Sequence, residues 1–260
     1  MKERKITELP EERTGFCDIH HHLLYGVDDG PKTYAEMVEM LLEAHHNGIT
    51  TIVATPHVRP GISPIPHELI KQRIKEAQEY CDKSSLDIRI LRGAEILYTP
   101  ALVNEAMKKC LPTLADTCFV LVEFAPGIPF KEMEKVVSML SEYGYQPIIA
   151  HVERYRCFLR SPWLMNRLNQ YPEVHFQINC ESILEKTGMA AKRLSHWMLR
   201  REKIDFIASD AHNTDTRKCL FLETYCMLKE MVDERYIHYM MKREMFSGNS
   251  VNCLRPAGRI

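Results

Sequence analysis

An α/β barrel of seven strand–helix units is the fold this sequence predicts, on three observations. Short apolar runs recur along the chain, rich in β-branched and aromatic residues, as in strands buried on both faces. Helical stretches separate these runs, and such alternation gives a parallel sheet. Five of the runs close on residues with metal-binding side chains. A barrel collects its site from many strand ends, whereas a doubly wound open sheet collects it at one switch point, so the barrel is favoured.

The predicted strands are Phe16–His20, Thr51–Thr55, Ile88–Arg92, Phe119–Phe124, Pro147–Ala150, His175–Asn179 and Ile204–Ser209. Between the first two, Tyr34, Met37, Val38, Leu41 and Leu42 share one helical face, with Pro31 at the entrance and Asn47-Gly48 as the stop. Helices also fit His67–Cys81, Phe130–Tyr143, Thr216–Met231 and Glu234–Phe246, and Thr99-Pro100 and Ser161-Pro162 read as cap-plus-proline starts. With no internal repeat, low-complexity stretch or linker, the expectation is one barrel domain over residues 16–250. Residues 1–15 form an N-terminal extension and residues 251–260 a C-terminal tail.

The chain has 260 residues, 45% of them hydrophobic, enough for a full core. Its 34 Lys and Arg nearly balance its 35 Asp and Glu, which gives no basic stripe for nucleic acid. The charged start lacks the apolar core of a signal peptide and no stretch is long enough to span a bilayer, so a cytoplasmic protein without a membrane span is expected. Nine cysteines without CxxC spacing fit reduced thiols. Cys253 and Arg259 have the Cys-x5-Arg spacing of thiol phosphatases, but that chemistry needs a helix N-terminus after the loop, and only Ile260 follows.

His20 and His22 lie two apart at the end of a strand, and so do Asp210 and His212; alternate strand side chains share a face, so each pair aims at one point. His57, Glu95 and His151 end three further runs. This nitrogen and oxygen donor set, without thiolate, suits manganese, iron or zinc rather than a sulfur-rich structural site. A carboxylate such as Glu95 can bridge two ions, and ions about 3.5–4 Å apart clamp both oxygens of an in-line phosphoryl displacement while activating water as nucleophile. In Val27-Asp28-Asp29-Gly30-Pro31-Lys32 an aspartate serves either as a helix entrance or as a ligand. Arg154 and Arg217 each follow a candidate ligand closely, and arginine suits bidentate phosphate binding. His21 points opposite its neighbours, and His45, His46, His67, His175, His196 and His238 read as structural.

These motifs, in this order, resemble the PHP (polymerase and histidinol phosphatase) superfamily, and within it the bacterial tyrosine-protein phosphatases of the CpsB/YwqE type. The resemblance rests on Asp18-Ile19-His20-His21-His22, the Val27–Lys32 loop, Thr55-Pro56-His57, Gly93-Ala94-Glu95-Ile96, Ala150-His151-Val152-Glu153-Arg154 and Ser209-Asp210-Ala211-His212-Asn213. It implies a distorted (βα)7 TIM-like barrel holding two or three ions, usually manganese, at the C-terminal strand ends. The implied activity is hydrolysis of phosphotyrosine on the tail of a bacterial tyrosine kinase that controls capsule or exopolysaccharide synthesis. Carried over position by position, His20, His22, Glu95 and Asp210 hold one ion; Asp29, His57 and His212 hold another; Glu95 and His151 contribute to a third; Arg154 and Arg217 bind phosphate. One departure stands out, because the segment Glu123–Pro129 lacks the histidine that often serves the third ion, leaving water or Glu123 to complete it. A small-molecule phosphoesterase resembling histidinol phosphatase, a barrel amidohydrolase and a non-catalytic metal-dependent binding module are the rival readings. Oligomeric state is left open.

Overall fold

The computed structural model describes residues 15–63, 66–241 and 246. Its strands are β1 (Phe16–His21), β2 (Ile49–Ala54), β3 (His57–Val58), β4 (Arg89–Arg92), β5 (Glu95–Leu97), β6 (Phe119–Glu123), β7 (Gln146–Ile149), β8 (His175–Asn179) and β9 (Phe206–Ala208). All pair in parallel, in the orders β1-β2-β4 and β3-β5-β6-β7-β8-β9. Because β2 pairs with β4 and β3 with β5, each succession is one strand broken partway, at Thr55-Pro56 and at Gly93-Ala94. Seven strands result. The ring closes where the Asp210 N–H donates to His20 O and the His22 N–H to Ala211 O, both at 2.9 Å.

The breaks have local causes. Pro56 offers no N–H to the ladder. A Cβ at Gly93 would lie 2.7 Å from Val53 Cγ1 and 2.8 Å from Leu114 Cδ2, so only glycine passes there. Past the break the Glu95 N–H regains a partner in Pro56 O at 3.1 Å.

The helices are α1 (Tyr34–His46), α2 (His67–Lys83), α3 (Ala101–Met107), α4 (Phe130–Glu142), α5 (Arg156–Arg160), α6 (Leu164–Leu168), α7 (Cys180–Ile183), α8 (Met189–Leu199), α9 (Phe221–Leu228) and α10 (Glu234–Met241). Apolar residues divide into two layers. Cys17, Ile19, Val53, Phe119, Leu121, Ile148 and Phe206 fill the barrel interior, while the outward strand faces pack against the helices. No helix among the described residues is long and apolar enough to cross a membrane.

Several predicted boundaries need correction. The first helix begins at Tyr34 rather than beside Pro31, because Thr33 is the N-cap and accepts the Glu36 N–H. Its buried face is Met37, Met40, Leu41 and Ala44; Leu42 and Tyr34 are exposed. The helix expected from Thr216 starts at Phe221, since Asn213 Oδ1 accepts the N–H groups of Asp215, Thr216 and Arg217 and holds them in a turn. Thr99 does not cap α3: Pro100 stands at the N-cap position with no side-chain cap, and the Thr99 hydroxyl instead donates to Pro60 O at 2.8 Å. Past Ser161-Pro162, α6 begins only at Leu164. The Cys253–Arg259 motif lies outside the described residues.

Candidate metal centre

Directly paired residues of neighbouring parallel strands face the same side, and His57, Glu95, Leu121 and Ile148 form one such row. Leu121 and Ile148 belong to the interior cluster, so His57 and Glu95 also face inward, at the C-terminal end of the barrel. On β1 the register shifts between Asp18 and His21, where Asp18 Oδ1 accepts the His20 N–H at 3.2 Å. His20 and His22 then join the interior site. His21, wholly buried, faces elsewhere with both ring nitrogens unpartnered.

Three donor groups overlap, and within each the donor atoms lie within 4.8 Å of one another. In the first, His20 Nε2 is 3.2 Å from Glu95 Oε2 and 3.4 Å from Asp210 Oδ1, and His22 Nε2 is 3.3 and 3.5 Å from the same two oxygens. The second joins His22 to Asp29, His57 and His212, with Asp29 Oδ1 at 3.3 Å from both His57 Nε2 and His212 Nε2. His57, Glu95 and Glu123 make the third, and His151 Nε2 borders it at 3.0 Å from Glu95 Oε1 and 3.6 Å from Glu123 Oε1. Every histidine, aspartate and glutamate singled out in the sequence is brought to one place. The structure adds that His22 is shared between two groups and that Glu123 stands beside His57 and Glu95 in the third.

The charge balance of these residues fits divalent cations. Burial opposes ionisation of Glu95 most strongly, yet His20, His151 and His22 together hold its carboxyl well below the usual range. Asp210 is likewise lowered against burial, by His20, His22 and Arg154. Burial disfavours charge on His22, but Asp28 and Glu95 raise it to about 10. The carboxylates thus draw positive charge onto an imidazole that faces their shared centre. His212 Nε2 is buried there without a hydrogen-bond partner.

Backbone geometry aims these groups. Gly30 runs so close to His22 O that any Cβ would collide with it, and the loop it permits lays Asp28 Oδ2 2.7 Å from His22 Nδ1. His151 and Asp210 both adopt left-handed backbone, with φ of 32° and 54°, a conformation costly for non-glycine residues and concentrated at functional sites. The Gln177 side chain steadies His151 by accepting its N–H at 2.8 Å and lies 3.2 Å from His20 Nδ1. Asn179 Nδ2 donates to Asp210 Oδ2 at 2.9 Å. Gln177 and Asn179 were not singled out in the sequence, although their spacing of two on β8 is the same signal that marked His20 and His22.

Arg154 and Arg217 meet at Asp210. Arg154 Nη2 donates to Oδ2 at 2.8 Å and Arg217 Nη2 to Oδ1 at 3.0 Å, while Arg217 Nη1 lies 3.4 Å from Asp29 Oδ2. Both line a cavity of about 350 Å³ together with Glu95, Glu123 and His151. Leu97, Phe124, Ala125 and Pro126 add an apolar wall. No described cysteine lines it, and burial pushes the Cys180 and Cys219 thiols well above their ordinary range.

Residues 16–255 match the model of a family described as capsular polysaccharide synthesis, CpsB/CapC. The tyrosine-protein phosphatase CpsB of Streptococcus agalactiae serotype V is 30% identical over 235 residues, covering 85% of this chain and 94% of the relative. The tyrosine-protein phosphatase YwqE of Bacillus subtilis is 32% identical over 225 residues, covering 86% and 87%. A crystal structure from work on YwqE of B. subtilis and CpsB of Streptococcus pneumoniae, described as unique metal-dependent tyrosine phosphatases, superimposes with a TM-score of 0.77 at 31% identity, covering 86% of this chain and 90% of the other. With the motifs, the barrel and these matches in agreement, the chain belongs to the CpsB/CapC family.

Proposed function

We propose that this chain is a metal-dependent protein-tyrosine phosphatase. The observation that carries the reading is one cavity that joins three overlapping nitrogen and oxygen donor groups to three arginines, Arg59, Arg154 and Arg217, and an apolar wall. His20, His22, Glu95 and Asp210 would hold one ion; Asp29, His57 and His212 a second, with His22 between the two; Glu95, Glu123 and His151 a third. Manganese is the proposed metal, and iron and zinc suit the same donors. When bound, such ions polarise phosphoryl oxygens and lower the pKa of water to near 7, which supplies the nucleophile.

The remaining work falls to the protein. Arg154 and Arg217, hinged on Asp210, turn their guanidinium groups to the phosphate oxygens and orient them for in-line attack. Leu97, Phe124 and Pro126 cover the phenyl ring and keep bulk water from the reacting face, which favours an aryl ester over a polar alkyl phosphate. The proposed substrate is the phosphotyrosine tail of a bacterial tyrosine kinase governing capsule or exopolysaccharide synthesis, in keeping with the family's role. Cytoplasmic action accords with the eight described cysteines, all free.

Phosphate release from a phosphotyrosine peptide, histidinol phosphate and an aryl phosphate, measured side by side with metal analysis, tests the proposal. Hydrolysis of the peptide that is abolished by chelator and restored by Mn²⁺ is expected. Preference for histidinol phosphate, or activity indifferent to chelation, would overturn it.

A further inference from the structure

Away from the metal cavity, a groove of about 400 Å³ lies between α8 and the α5–α6 segment. Leu159, Pro162, Leu194 and Trp197 give it apolar walls, and Lys192, Arg193 and Arg200 give it positive charge beside the His196 ring; no carboxylate lines it. Arg193, Trp197 and Arg200 recur at the three- and four-residue spacing of a single helical face. Lys192 pairs with Glu185, and His196 lies 3.6 Å from the same carboxylate. Arg193 and Arg200 are exposed and have no ion-pair partner among the described residues. Trp163 and Met189, beside this groove in the chain, are 61% and 62% exposed, an unusual outlay of large apolar surface for a solvated face.

A basic track joins this groove to the metal cavity. Arg154 lines the cavity, and α5 starts two residues later. The Arg156 N–H donates to Pro126 O at 2.9 Å on the cavity wall, and Arg156 Nη1 is the atom nearest a Cβ built on Gly127, at 3.8 Å. One turn on, Arg160 shares the α5 face of Arg156 and precedes the Ser161-Pro162 edge of the groove. Neither Arg156 nor Arg160 has an ion-pair partner among the described residues. Four unpaired arginines in a chain of net charge −1 are a local excess, and the fold creates it by bringing α5 beside α8.

We propose that this track and groove bind an acidic segment of the phosphotyrosine-bearing polypeptide, with an apolar side chain seated against Trp197 and carboxylates on Arg193 and Arg200. The inference deepens the phosphatase reading and rests on it for the identity of the polypeptide. Charge complementarity selects an acidic partner. The concave, side-chain-sized groove and its continuity with the cavity select a peptide over a flat lipid surface. An extended segment of about eight residues reaches roughly 27 Å from the phosphotyrosine.

Of the chain's two tryptophans, Trp197 lines this groove and Trp163 directly follows Pro162 on its edge, so tryptophan fluorescence reports occupancy without catalysis. Substrates for the test are a capped phosphotyrosine tripeptide, two longer peptides with an Asp/Glu-rich, leucine-containing segment on either side of the phosphotyrosine, and para-nitrophenyl phosphate. One extended peptide should have a KM about tenfold below that of the tripeptide, as expected for charge-assisted contacts. The Arg193→Glu/Arg200→Glu variant should lose that advantage while its kcat/KM on para-nitrophenyl phosphate stays unchanged, which also shows that it folds. The unphosphorylated acidic peptide should shift the tryptophan fluorescence of the Mn²⁺-loaded wild type and not of the variant. Equal KM for short and extended peptides, or an advantage that survives the double reversal, would overturn the proposal. So would a fluorescence shift given by phosphatidylglycerol vesicles and not by the peptide, or a loss of dimer mass in the variant, which would assign the groove to a second copy. Peptide binding without hydrolysis of any phosphotyrosine substrate would sink the phosphatase reading and leave the groove standing.

Discussion

Arg154 donates to the carboxylate of Asp210 at 2.8 Å, so a candidate phosphate-binding cation and a candidate metal ligand share one anchor. Burial works against the charge of Arg154, but Asp210 and Glu153 more than compensate and keep it cationic. Its side chain is 38% exposed against 3% for Asp210, which leaves the guanidinium free to turn to a substrate while the carboxylate stays. Arg154→Ala should therefore keep its metal while kcat/KM on phosphotyrosine peptide falls about 10–100-fold, the worth of one or two charged hydrogen bonds. A fall in kcat marks a contact that tightens in the transition state, and a rise in KM alone marks uniform binding. Unchanged kcat/KM in both Arg154→Ala and Arg217→Ala would remove the arginines from the mechanism.

Losses at the centre of the donor set should behave differently. His20 and Asp210 are almost wholly buried and converge on one point with His22 and Glu95. His20→Ala or Asp210→Asn should lower metal content and activity together, by at least the roughly 10–100-fold typical of residues one step further out. Metal analysis beside the phosphatase assay checks this; normal metal with full activity in either variant would reject the ligand assignment.

The strands were legible because each is a short apolar run closed by a polar residue, and the structure buries Phe119–Val122 and His175–Asn179 throughout. The candidate site was legible because its donor side chains stand at or just past those closures. What stayed hidden depends on contacts between distant segments. The turn made by Asn213 consumes the first residues of the helix expected at Thr216. Gln177 and Asn179 act through His20, His151 and Asp210, partners far away in sequence. The arginines of α5 and α8 are unremarkable in a near-neutral chain until the barrel sets the two helices side by side.

Glu123 is the most exposed member of its donor group after His57, at 23% against 1% for Glu95. Burial raises its carboxyl, and the nearby Glu95 raises it further. The ion it would serve should be the weakest held. Glu123→Gln should bind fewer equivalents of Mn²⁺ and need more added Mn²⁺ for half-maximal activity, by about tenfold or more, while the other positions keep their metal. A Mn²⁺ titration superimposable on that of the wild type would show that Glu123 is not a ligand.

His21 supplies the pH test. Burial above all, then the charges of His22, His212 and His20, lowers its pKa to about 3 from an ordinary 6.5. It is therefore neutral in the fold and takes up a proton on unfolding, so its contribution to stability is complete above pH 6.5 and is lost as pH falls towards 3. Asp18 acts in the opposite sense: burial raises it to about 6, so its contribution is complete below pH 3.8 and is lost as pH rises through 6. Comparing His21→Leu with wild type cancels Asp18 and isolates the histidine. Both ring nitrogens of His21 lack partners, so leucine deserts no hydrogen bond, and the two chelator-treated proteins should differ by no more than about 1 kcal/mol at pH 7.5. At pH 5 the variant should be the more stable by about 2 kcal/mol, since each pH unit below the unfolded pKa is worth about 1.4 kcal/mol. Urea unfolding at the two pH values measures the difference, and parallel losses in both proteins would show that His21 is not buried as a neutral ring.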